Sequence, residues 1–139
     1  MKKLLTATAA TALMAGSAMA AGHGEEIKIG VLLGFTGPIE STVAHMGPAA
    51  HMAIKEVSDS GKLLGGATVT GVNGDTTCVD AGAATAAAER LITSDGVKGI
   101  VGGDCSGVTG AVLTNVAMPN GVVMISPSAT SPGLSHMNN

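Results

Sequence analysis

Apolar runs and polar breaks alternate along this chain at a steady spacing. Residues 27–33 (IKIGVLL) form a short β-branched run that predicts a buried strand. Gly34, Phe35, Thr36, Gly37 and Pro38 break it into a loop. A helical pattern follows over 46–58: Ala49, Ala50, Ala53, Ile54 and Val57 fall on one predicted face, with Lys55 and Glu56 outward. Pro48 is tolerated in the first turn, and Gly61 supplies a stop. Residues 67–73 (ATVTGVN) read as a second strand and 74–79 as a loop carrying Cys78. Asp80 is a good cap for a helix running to about 94, whose small face (Ala84, Ala88) continues into Leu91 and Ile92. Residues 97–101 predict a third strand, 102–107 (GGDCSG) a third loop, and 108–118 a helix with Val108, Val112, Leu113 and Val116 on one side. A turn at 119–121 leads to a fourth strand, 122–125, and then to the loop SPSATSP (126–132).

The order is β-α-β-α-β-α-β, which predicts an α/β fold: a doubly wound parallel sheet with helices on both faces. The strand runs lack polar alternation, as a sheet covered on both sides requires. In such sheets ligands bind beyond the carboxyl ends of the strands, where the strand order reverses. The loops 34–38, 102–107 and 126–132 leave those ends, and all three are rich in Gly, Ser and Thr. Glycines there let backbone N–H groups approach a ligand, and hydroxyls add donors. Ser106 lies just before a predicted helix, where N–H groups and the helix dipole favour a carboxylate. Simple capping of that helix is the competing role.

The first twenty residues stand apart. Lys2 and Lys3 precede an uncharged run from Leu4 to Gly16, and Ala18-Met19-Ala20 has the small-x-small pattern of a signal-peptidase site. Residues 1–20 are therefore expected to be a cleaved signal peptide, and residues 21–139 the exported part. The run is short for a membrane-spanning helix, which needs about 20 apolar residues. The sequence after the fourth strand (His136-Met137-Asn138-Asn139) does not read as a domain end, so the chain is expected to be a fragment.

Charge and composition narrow the chemistry. Without Lys2 and Lys3 the chain keeps five basic against ten acidic side chains, and Phe35 is its one aromatic residue. No basic patch or stacking surface is present for nucleic acid. Cys78 and Cys105 make an even pair, which in an oxidising compartment suggests a disulfide. Gly103-Asp104-Cys105-Ser106-Gly107 also fits a G-x-C-x-G nucleophile elbow, but a catalytic Cys needs a nearby His and only His136 follows. No dinucleotide or P-loop motif occurs. His45 and His51 are six apart, which points them to different helix faces rather than to one metal. No cofactor, metal or catalytic residue is expected. Glu40 and Ser41 either line the cleft or are solvated.

IKIGVLLGFTGP, a Cys after the second strand, AAAERLI, IVGGDCSG and MISPSATSP occur in one order. Together they resemble the periplasmic leucine/isoleucine/valine-binding proteins of ABC importers. The resemblance implies a two-lobed, non-catalytic receptor of the type I periplasmic-binding-protein fold, of which this chain would supply part of the first lobe. It implies a Cys78–Cys105 disulfide. It also implies a ligand set: Ser106 and Thr130 on the α-carboxylate, with Ser128 and Ala129 in the same loop and the Ser128 carbonyl accepting from the α-ammonium. An acidic residue from a second lobe, beyond Asn139, would complete the ammonium site. The implied partners are an amino acid or related small amide or carboxylate and an ABC permease of the inner membrane; a monomer is expected. Relatives close to the leucine-binding type carry a Tyr after the GP of the first loop, where this sequence has Glu40, Ser41 and Thr42 and no Tyr anywhere. The ligand side chain is therefore left open. The competing readings are the sensor portion of a signalling receptor and a secreted Cys hydrolase.

Overall fold

The computed structural model describes residues 24–137, so the expected signal peptide lies outside the described residues. Four strands, β1 (Gly24–Leu33), β2 (Ala67–Asp75), β3 (Gly99–Gly102) and β4 (Val123–Ile125), form one sheet in the order β2-β1-β3-β4. All three pairings are parallel. The chain steps from β1 to β2 on one side and then crosses to β3 on the other, so the strand order reverses at β1. The expected doubly wound architecture is the observed one.

Helices cover both faces. On one side lie α3 (Ala81–Glu89) and α4 (Ser106–Val112), each prolonged by a wider turn, Arg90–Ser94 and Leu113–Ala117. Leu32, Ala84, Ala88, Leu91, Ile100, Val108, Val112 and Val116 pack there as the main core. Ala84 and Ala88 are fully buried because their small side chains bring α3 close to the sheet. Asp80 caps α3 as expected, its Oδ1 accepting the Ala83 N–H at 3.0 Å.

On the other side lie a short helix, α1 (Glu40–Val43), absent from the sequence expectation, and α2 (Met46–Asp59). A Cβ added to Gly71 of β2 would meet His51 and Ile54, which places α2 over that strand. The predicted inward face of α2 is only partly right. Ala49, Ala53 and Val57 are exposed, whereas Gly47, Ala50, His51, Ile54 and Ser58 turn towards the sheet. Helical spacing alone does not separate two neighbouring Ala-bearing stripes; Phe35 does, because its ring fills the space beside Gly47.

The expectation of a sheet covered on both faces also needs correction at β4. Val123 and Ile125 are each 68% exposed, because Met124 between them packs on the α3–α4 core and they point to the opposite face of the sheet. Their β-branched run makes a strand without saying what covers it.

Candidate functional site

The carboxyl ends of the four strands are laced together by short polar side chains. After β1, the Thr36 hydroxyl donates to Asp75 Oδ2 at 2.6 Å and the Thr36 N–H to Asp75 Oδ1 at 3.3 Å, joining that loop to the end of β2. Gly37 lies against Thr77 so closely, at φ 97°, that a Cβ would sit 2.6 Å from the Thr77 carbonyl oxygen. The loops after β2 and β3 are joined by the Cys78–Cys105 disulfide, whose ends are 27 positions apart in sequence. Closing a loop of that size removes roughly 3–4 kcal/mol of chain entropy from the unfolded state, in the chain-entropy model. The disulfide occupies Cys105, so the G-x-C-x-G elbow presents no free thiol.

Burial raises the Asp75 carboxyl, but the Thr36 hydroxyl and the N–H groups of Thr77 and Thr36 outweigh it and hold the carboxyl below its ordinary value. A depressed folded value means stability that is present above the unfolded Asp pKa, about 3.9, and is lost as pH falls through the folded one. Acid titration of the fold should therefore show a steeper loss below about pH 4 in the wild type than in Asp75→Asn. Equal slopes by circular dichroism would remove Asp75 from the account.

The β3 and β4 loops meet most closely. The Ser126 hydroxyl donates to the Gly103 carbonyl at 2.5 Å and accepts the Ala129 N–H at 2.8 Å. The Ser128 hydroxyl donates to the Asp104 carbonyl at 2.9 Å. Ser106 Oγ accepts two N–H groups, from Thr130 and Ser131, each at 3.1 Å. All four residues expected to hold ligand thus lie in one cluster: Ser106 at the start of α4, and Ser128, Ala129 and Thr130 in the loop that closes on it. Ser106 was expected just before the helix, with capping as its competing role. Instead Cys105 is the N-cap, Ser106 is the first helical residue, and its hydroxyl serves the β4 loop.

That arrangement has a chemical consequence. A serine hydroxyl has one hydrogen to give and two lone pairs. Both lone pairs of Ser106 are committed to N–H donors, so its own O–H is left to donate outward, beside the exposed Thr130. The N–H groups of Ala129 and Thr130 are used within the protein, so what this loop adds for a ligand is the Thr130 side chain and backbone carbonyls.

Sequence reasoning missed Asp104. Its carboxylate is buried and accepts from three neutral donors in three loops, although it sits in a motif singled out only for its Cys and Ser. A lone acidic residue at the end of an apolar strand was the available signal. The glycines of that motif were also misassigned: Gly102 and Gly103 are buried against protein rather than open to a ligand. A separate cavity of about 380 Å³ lies between α1, α2 and the ends of β1 and β2, lined by Phe35, Glu40, His51 and Asn73 among others. It excludes Ser106 and Thr130, and Glu40 lines it rather than their cluster.

Fold and cluster together make a doubly wound parallel sheet with polar loops converging at its switch point, the place where sheets of this class bind ligands. The chain belongs to the periplasmic binding protein family, whose profile matches residues 26–139. It is 38% identical over 128 residues to a leucine-, isoleucine-, valine-, threonine- and alanine-binding protein of Pseudomonas aeruginosa, covering 92% of this chain and 32% of that one. A Leu/Ile/Val-binding protein of Rhizobium johnstonii is 32% identical over 132 residues, covering 95% and 34%. Among solved structures, a branched-chain amino acid transporter substrate-binding protein from Streptococcus pneumoniae, in complex with isoleucine, superposes with a TM-score of 0.72 at 31% identity, over 80% of this chain and 31% of that one. A solute-binding protein of R. palustris in complex with 4-hydroxybenzoate gives 0.64 at 27% identity, over 80% and 29%. The chain spans about a third of the length of these relatives.

Proposed function

We propose that this chain is part of the first lobe of a periplasmic receptor for an ABC importer, binding a branched-chain amino acid or a related small amide or carboxylate. One observation carries the reading: the Ser106 hydroxyl, held by the N–H groups of Thr130 and Ser131, has its hydrogen free to donate beside Thr130. Two hydroxyls so placed suit the oxygens of a carboxylate, by charge-assisted hydrogen bonds. The Ser128 carbonyl accepts from the α-ammonium, and Ala129 sits in the same loop. A second lobe supplies the rest of the pocket and closes over the ligand by hinge motion, and the closed form docks on the inner-membrane permease. The receptor works as a monomer, exported by the cleaved leader 1–20.

The named ligands of the relatives support this reading, and they share a carboxylate while differing in side chain. The test is calorimetric titration with leucine, isoleucine, valine and 4-hydroxybenzoate. The two-lobed protein is expected to bind one of the aliphatic acids with a micromolar Kd, near −8 kcal/mol. Residues 21–139 alone, holding half of the pocket, are expected to bind weakly or not at all. Micromolar leucine binding by residues 21–139 would contradict the two-lobe reading.

A further inference from the structure

Residue 104 touches every strand-end loop of the sheet. Asp104 is 4% exposed. Its Oδ2 accepts the Gly34 N–H, from the loop after β1, at 2.6 Å. Its Oδ1 accepts the Thr76 hydroxyl, from the loop after β2, at 3.0 Å. The same oxygen accepts the N–H of Cys105, the N-cap of α4, also at 3.0 Å. Its backbone carbonyl accepts the Ser128 hydroxyl, from the loop after β4, at 2.9 Å. Among the described residues no cation pairs with it.

A buried carboxylate without a counter-charge is costly, and it persists only where donors replace its water. Here those donors lie on three separate segments, which must meet at one point for the charge to be satisfied. The geometry points to Asp104 as the positioning residue of the ligand site: by fixing the four loops on one side chain and its carbonyl, it sets where Ser106 stands relative to Thr130. This rests on the reading of Ser106 and Thr130 as carboxylate ligands. Asp104 itself touches no ligand; its carboxylate acts through the N–H of Cys105, which leads directly into Ser106.

The carboxylate is specifically required. In Asp104→Asn one of the two terminal oxygens becomes an NH2 donor. In one orientation it faces the Gly34 N–H, in the other the Cys105 N–H; in both, one backbone donor loses its acceptor. The side chain keeps its volume, so the change is chiefly in loop alignment.

The experiment is a double-mutant cycle in the two-lobed protein, with leucine as the probe and Kd by calorimetry. Ser106→Ala is expected to raise Kd about 100-fold and Asp104→Asn about 10-fold, by loss and by misplacement of one charge-assisted hydrogen bond. The double variant is expected to match Ser106→Ala alone, because misplacing an absent hydroxyl has no further effect. A double variant as weak as the product of the two single effects would show that Asp104 acts elsewhere, and an unchanged Kd in Asp104→Asn would do the same. Either result overturns the positioning role while leaving the binding reading intact. An unchanged Kd in Ser106→Ala, or no leucine binding by the wild type, overturns the branched-chain carboxylate reading and this inference with it. If Asp104→Asn does not fold, Thr76→Val removes one donor from the same carboxylate. It is expected to raise Kd several-fold, with Thr76→Ser restoring it; equal Kd values for the two would overturn the proposal.

Discussion

Replacing Gly102 with alanine is expected to leave a chain that does not fold. Gly102 ends β3 at φ 141°, in register with Leu32 of β1. A Cβ there would stand 2.0 Å from the Leu32 carbonyl oxygen and 2.9 Å from its Cβ. These are atoms of the central strand, and Leu32 is fully buried in the main core. The backbone conformation alone costs an alanine about 1–3 kcal/mol. Relief of the clash would require β1 and β3 to part, and with them the packing of Leu91 and Ile100. The sum should exceed about 5 kcal/mol, the lower end of the stability of a whole domain. Far-UV circular dichroism with urea titration reads the outcome. Gly107→Ala is the control: nothing lies within 4 Å of its Cβ position, and alanine in a helix is favoured over glycine by up to about 1 kcal/mol. A Gly102→Ala protein as stable as wild type would mean that β1 and β3 do not approach as described.

The second large effect falls on binding. Ser106→Ala removes the outward donor and also the acceptor that holds the N–H groups of Thr130 and Ser131. A charge-assisted hydrogen bond contributes about 1.5–3 kcal/mol, and loosening Thr130 adds to the loss. Affinity should fall about 100-fold, roughly 2.7 kcal/mol. Stability should change little, because the hydroxyl lies at the edge of the fold, outside the core around Leu32 and Leu91.

Much of this architecture was written in local patterns. Apolar runs of strand length, separated by Ala-rich helical stretches and glycine breaks, were enough to place all four strands within a few residues. Asp80 announced the start of α3 by its type and position. The boundaries that moved did so for tertiary reasons. Val97 was expected inside the third strand, yet it precedes β3, and its N–H returns to the Leu91 carbonyl at 3.0 Å. The helix expected from Val108 begins at Ser106, because the disulfide and Asp104 fix its first turn.

The site was legible in part. Ser106 and the 126–132 loop stood out as hydroxyl-rich segments at strand ends, and family resemblance gave them roles. The bonds that bring them together were not legible. The Gly34–Asp104 contact spans 70 positions and the Ser106–Thr130 contact 24, and neither leaves a periodic trace. Asp104 looked like one more polar loop residue, because its burial depends on Gly34 and Thr76 arriving from other strands. Gly102 looked like a glycine kept for a ligand, when its neighbour is the backbone of β1.

The central claim is that hydroxyls from two adjoining loops hold an anionic head group, and its most direct test compares leucine with leucinamide in the two-lobed protein. Wild type is expected to prefer leucine strongly by calorimetry, and Ser106→Ala to lose most of that preference while keeping its melting temperature. Equal affinity of the wild type for the two ligands, or an undiminished preference in Ser106→Ala, would contradict it.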